Sequence, residues 1–199
     1  MLVFLGAAAL AFGAVFLAEF GDKSQLLILA WATRYPAVPV IVGLVIAAAF
    51  IQGVSVLVGA SLGAVLPGQA VAIVAGLAFL AVAAWTLRGD DDGEDAPGAA
   101  ADGRRRTGLA LIAAVASTFV LGELGDKTML VTFGLAASQG ALATWIGSTL
   151  GEVAANLVAV VVGRQVGARL PPRMVRLGSA ALFAVGGVAI LVGALLGAG

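Results

Sequence analysis

The sequence predicts an all-α integral membrane protein with six transmembrane helices, arranged as two inverted three-helix repeats. Three observations predict it. Of 199 residues, 61% are hydrophobic and 11% charged, with a mean hydropathy of +1.11, against roughly 25% charged in soluble domains. The apolar runs between turn signals number six, each near the roughly 20 residues that cross a bilayer. The stretch EFGDKSQ at 19–25 returns as ELGDKTM at 123–129.

The first run covers 2–33 and stops before Arg34-Tyr35-Pro36. Its opening residues lack the positive n-region of a signal peptide, so they are read as the start of a span. The second run, 38–65, ends at Leu66-Pro67-Gly68, and the third covers 69–88. The fourth, 107–137, ends at Ser138-Gln139-Gly140. The fifth, 141–168, stops before Pro171-Pro172, and the last covers 174–197. Between spans three and four lies GDDDGEDAPGAAADGRRR, residues 89–106. It is poor in bulky apolar residues and rich in charge, the composition of a flexible, solvated tether. The expected organisation is a first repeat at 1–88, a linker at 89–106 and a second repeat at 107–199.

The arginines orient the chain. Arg34 falls in the first loop, Arg88 and Arg104 to Arg106 flank the third, and Arg164, Arg169, Arg173 and Arg176 flank the fifth. The other loops and the termini carry none. Cytoplasmic loops hold the excess Lys and Arg. Both termini are therefore expected outside the cell membrane, with the linker in the cytoplasm.

The two motifs are offset by 104 residues, and the same offset pairs Gly43 with Gly147, Val54 with Val158, Gly59 with Gly163, Leu66-Pro67 with Leu170-Pro171, and Phe79 with Phe183. Gln52 falls opposite Asn156. Three spans per copy force the second copy to insert upside down, the signature of secondary transporters with a midplane site. Lys23 stands 11 residues before Arg34, and Lys127 stands 11 before Ser138. At 1.5 Å per helical residue that is about 16 Å, half the hydrocarbon core.

The motifs hold charge where lipid should be. Glu19 and Asp22, like Glu123 and Asp126, are three apart and would share a helix face. Gly21 and Gly125 lie between them and suit a broken helix whose carbonyls face a cation. Spans one and four, at about 45 Å if fully helical, are too long for straight crossings, so tilt or a break is expected. Two carboxylates and one lysine per motif sum to −1, two motifs to −2, and a dication brings the total to zero. With no Cys and no His in the chain, any metal must be held by oxygen, which favours Mn²⁺, Ca²⁺ or Mg²⁺.

The structural alternative is internal pairing. Glu19 with Lys23, and Glu123 with Lys127, are spaced i, i+4, as helical salt bridges are. That leaves Asp22 and Asp126 without partners, so it explains the lysines and not the aspartates. Intramembrane ionisable groups mark functional sites by default. Glu152 has no acidic counterpart, the equivalent position being Ala48, and is either a fifth carboxylate, a proton carrier, or the partner of an Arg or of Ser148. Gln52 and Asn156 are neutral oxygen ligands or interhelical hydrogen-bonding groups. Ser24 and Thr128 offer further oxygens or bond back to the helix, and Gln25, opposite Met129, carries little weight.

Phosphate-binding loops and nucleophile–His pairs are absent from the sequence, and no soluble catalytic domain fits, so an enzyme is not expected. Zero net charge implies no nucleic-acid partner. The lipid bilayer and a divalent cation are the partners expected.

Two copies of E-x-G-D-K-[ST] in about 200 residues resemble the Gdt-type cation transporters of the lysine-exporter superfamily. The match is full at Glu19, Gly21, Asp22, Lys23, Ser24 and at Glu123, Gly125, Asp126, Lys127, Thr128. The resemblance implies metal coordination by the four motif carboxylates, with Mn²⁺ or Ca²⁺ exchanged for H⁺. It points to a manganese exporter of the inner membrane. A passive cation channel would need a continuous polar lining, an organic-solute exporter more aromatic or amide lining, and a non-transporting scaffold would not need mirrored mid-depth charges.

Overall fold

The computed structural model describes residues 1–20, 22–88, 107–166 and 172–197. The linker expected at 89–106 and the Pro171 boundary lie outside them. All secondary structure among the described residues is helical: α1 (Leu2–Glu19), α2 (Lys23–Arg34), α3 (Ala37–Val65), α4 (Gly68–Arg88), α5 (Gly108–Glu123), α6 (Lys127–Gln139), α7 (Ala141–Val166) and α8 (Pro172–Leu195). Among the described residues, helices α1, α3 and α4 are each long and apolar enough to cross a membrane, and α5 and α6 pass the same test as a bent pair, either one broken span or a re-entrant loop. The chain is a multi-pass membrane protein.

The first and fourth apolar runs are both broken at the charged motif, and α5 and α6 meet at 80°. The motif itself dictates the break. Phe20 (φ −69°, ψ 115°) and Leu124 (φ −61°, ψ 116°) take the same extended conformation. The N–H of Asp22 donates to the Glu19 carbonyl and that of Asp126 to the Glu123 carbonyl, both at 3.1 Å. Gly125 has φ +85°. At 123–126 these are the marks of a type II turn, which requires positive φ at its third residue and so calls for glycine. Each aspartate then becomes the N-cap of the next helix. Glu19 and Asp22 therefore do not share a helix face, as their spacing predicts; each acid closes one helix or opens another.

The helices are inside-out relative to a soluble fold. Along α3 the buried set includes Gly43, Ala47, Gln52, Ser55 and Gly59, while Val45, Ile46, Phe50 and Leu57 are exposed. Gln52 and Ser55 face protein, because lipid cannot satisfy such groups.

Packing exchanges the two halves. The long helix of each lies on the first helix of the other, α7 on α1 and α3 on α5. The glycines permit it: a Cβ at Gly43 would lie 2.7 Å from Val115 Cβ, and one at Gly147 would run into the Ala8 carbonyl and within 3.0 Å of Ala11 Cβ. Gly43 and Gly147, like Ala11 and Val115, are 104 residues apart. Small residues let helix backbones approach closely in lipid, where packing replaces the hydrophobic drive. One core cluster joins Ala11 and Val15 with Val131 and Leu135, and a second joins Val115 and Phe119 with Leu27 and Trp31. These four positions of each cluster correspond at the 104-residue offset with the halves interchanged. Helices α4 and α8 pack on each other, and the equivalent residues Phe79 and Phe183 meet edge-on, ring centroids 5.6 Å apart.

Candidate metal site

Both turns deliver their acids to one place. Glu19, Asp22, Glu123 and Asp126 each offer a carboxylate oxygen, and these four atoms lie within 4.8 Å of one another. All four residues are buried. Neither aspartate uses its side chain to cap its helix, although Asp is a preferred capping residue. Like charges gathered this closely out of water repel strongly, so the cluster calls for positive charge.

Part of that charge is present. Lys127 Nζ forms an ion pair with Asp22 Oδ1. This corrects the i, i+4 pairing of Glu123 with Lys127. The turn at 124–126 removes the helical register such a pair needs, and the ammonium crosses to the other half. Asp22 is thereby paired rather than left alone opposite Asp126. Both Glu123 oxygens, and Glu19 Oε1, have no hydrogen-bond partner among the described residues. Lys23 opens α2, but its side chain and Gly21 lie outside the described residues.

The backbone adds to the field. Glu19 and Glu123 end α1 and α5, where helix C-termini carry partial negative charge, and Asp22 and Asp126 sit at N-termini, where partial positive charge favours a carboxylate. Helix breaks of this kind hold ions in transporters.

Around the cluster runs a polar layer. Ser24 Oγ donates to Glu19 Oε2 at 2.6 Å, and Thr128 is buried. Gln52 Nε2 donates to Glu152 Oε2 at 2.6 Å, while Thr132 Oγ1 donates to Gln52 Oε1. Ser148, considered as the partner of Glu152, instead donates to the Trp145 carbonyl. Asn156 Nδ2 donates to the carbonyl of Glu152, and Gln25 Nε2 ties α2 to the Ala155 carbonyl on α7. Gln25 thus has a structural role that the repeat comparison, with Met129 opposite, did not disclose. Thr132 was missed altogether: its equivalent is Ile28, so symmetry offered no signal. Its position five residues after Lys127, inside an apolar helix, was the available clue.

A membrane protein with two broken helices and a buried acidic cluster at their junction belongs to the class of cation transporters. Comparison with known families makes this specific. The model of the divalent cation/proton antiporter family GDT1 matches the chain twice, over residues 7–94 and 111–198, and this chain belongs to that family. The two matches are offset by the same 104 residues as the motifs. The chain is 31% identical over 179 residues to a Vibrio cholerae protein named "Putative manganese exporter", covering 88% of this chain and 85% of that one. It is also 31% identical over 180 residues to a GDT1-like protein of Synechocystis, covering 83% and 86%. Over 71 residues, 36% of this chain and 31% of the relative, it is 32% identical to GDT1-like protein 5 of Arabidopsis thaliana. No solved structure matches.

Proposed function

We propose that this protein exports Mn²⁺ from the cytoplasm in exchange for protons, binding the metal through Glu19, Asp22, Glu123 and Asp126. The observation that carries the reading is the convergence of one carboxylate oxygen from each of these residues within 4.8 Å. An all-oxygen site suits Mn²⁺ and Ca²⁺, and the name borne by the Vibrio cholerae relative favours manganese.

The arrangement proposed is six spans in two oppositely inserted halves, with α1–α2 and α5–α6 as the broken spans. The interchange of core clusters and the contact between Phe79 and Phe183 support a twofold relation between the halves. The arginine distribution supports termini outside and the 89–106 linker in the cytoplasm. Metal arriving from the cytoplasm competes with Lys127 for Asp22. With Lys23 and Lys127 charged, four carboxylates and a dication sum to zero, so the loaded site suits a low-dielectric interior. The halves rock and open the site outward. External protons neutralise carboxylates, the metal leaves, and Lys127 returns to Asp22.

The test is uphill transport. Purified protein in liposomes is expected to move Mn²⁺ against its gradient when a proton gradient is imposed, with Ca²⁺ as competitor. Purely downhill movement would indicate a channel, and inhibition by amino acids an organic-solute exporter. Transport at the wild-type rate with D22N and D126N combined would refute the carboxylate mechanism.

A further inference from the structure

One oxygen from each of four carboxylates does not complete the shell of a hard dication, which takes about six oxygens or more. Neutral oxygens near the cluster are candidates for the rest, and the structure separates them. Ser24 Oγ is engaged with Glu19. Gln52 is used at both ends, its amide donating to Glu152 and its oxygen accepting from Thr132. Asn156 differs. It is fully buried, and its Nδ2 donates to the Glu152 carbonyl at 3.0 Å, one turn back on α7. Its Oδ1 has no hydrogen-bond partner among the described residues. It is the one buried amide oxygen among them in that condition. The repeat explains why: Thr132 serves Gln52, but the residue equivalent to Thr132 is Ile28, which has no hydroxyl to give Asn156.

The α7 turn that carries Asn156 is tied to the helix break at Asp22. Gln25, whose N–H bonds the Asp22 carbonyl at 3.2 Å, donates its side-chain amide to the Ala155 carbonyl at 3.2 Å. This holds the Asn156 turn of α7 against the first turn of α2, which Asp22 caps. Glu152, on the preceding turn, lies within electrostatic range of Glu19, Glu123 and Asp126.

We propose that Asn156 Oδ1 is a fifth, uncharged ligand of the transported dication. The inference rests on the four-carboxylate reading above. An amide oxygen adds coordination without disturbing a charge balance that already closes at zero, whereas another carboxylate there would overshoot it. Buried and unsatisfied without metal, this oxygen gains its partner only when the ion arrives.

The experiment is Mn²⁺ binding to the full-length protein in lipid nanodiscs, read by calorimetry, together with the metal-free melting temperature. N156L is expected to weaken Mn²⁺ binding about tenfold or more, as lost metal-site partners commonly do. N156Q, which keeps a neutral amide oxygen, is expected to stay nearer wild type than N156L. Should N156L fail to fold, N156A removes the same oxygen without bulk and carries the same expectation. Wild-type affinity in N156L or N156A overturns the proposal, as does equal weakening in N156Q and the oxygen-free variants. The combined D22N and D126N variant separates the two readings: if it binds Mn²⁺ as wild type does, the carboxylate site itself is wrong, whatever Asn156 does.

Discussion

Asp22 and Lys127 form an ion pair between the halves of the protein. Asp22 is the N-cap residue of α2 and Lys127 opens α6, so the bond joins the two helix breaks through residues 105 apart in the chain. A buried pair of this kind is weak evidence for stability, because desolvation offsets much of the attraction. Its meaning here is positional: it holds a positive charge where the proposed metal would sit.

Replacing the lysine should expose that role. Removing one partner of a buried pair costs about 3–5 kcal/mol. K127M is therefore expected to melt well below wild type without metal and to recover more than wild type does when Mn²⁺ is added, since the ion supplies the missing charge. Thermal unfolding in detergent, with and without Mn²⁺, checks this. Identical melting of the two metal-free proteins would contradict it.

The turn glycine offers a backbone test. Gly125 has φ +85°, and a side chain in that region costs about 1–2 kcal/mol. G125A is expected to lose that stability and to slow transport, because the turn sets the position of Glu123 relative to Asp126. Gly122 is the control. Its Cβ would meet nothing nearer than Leu27 Cδ2 at 3.8 Å, so G122A should be neutral or stabilise the helix by up to about 1 kcal/mol. Equal effects in the two variants would count against the turn.

Helix approach makes a third prediction. A Cβ at Gly147 would collide with the backbone carbonyl of Ala8 on α1, and backbone cannot rotate aside. G147V is expected to destabilise by about 1–3 kcal/mol, the usual cost of overpacking. G13A, where a Cβ would meet nothing within 4 Å, should not. Unfolding of the two variants in parallel gives the answer.

Much of this architecture was readable beforehand. Hydropathy alone located the helix ends near Pro36, Leu66-Pro67 and Gly140, because proline and glycine interrupt apolar runs for simple steric reasons. The excess length of spans one and four, with Gly21 and Gly125 inside charged motifs, pointed to a break. The bonding across that break was hidden. Sequence spacing measures neighbours along a continuous helix, so it paired Glu123 with Lys127 and put Glu19 on the face of Asp22. Once the turn at 124–126 interrupts the register, Lys127 reaches Asp22 instead. Thr132 stayed hidden for a different reason: its role depends on Gln52, 80 residues away, and no local pattern records that contact.

The Gln52 bridge can be tested by a double-mutant cycle. Q52L leaves Thr132 and Glu152 buried without their shared amide, and an orphaned polar group costs about 1–3 kcal/mol. Q52L should therefore destabilise, and adding T132V, which removes one orphan, should restore part of the loss. Strict additivity of the two changes would show that they do not interact.

The central claim is that acids from both halves hold one transported ion. Anomalous diffraction from crystals grown with Mn²⁺ tests it most directly. The account predicts a single manganese peak within bonding distance of Glu19, Asp22, Glu123 and Asp126, with the Lys127 ammonium withdrawn from Asp22. A peak bound elsewhere on the chain, with these four carboxylates vacant and the Asp22–Lys127 pair intact, would contradict it.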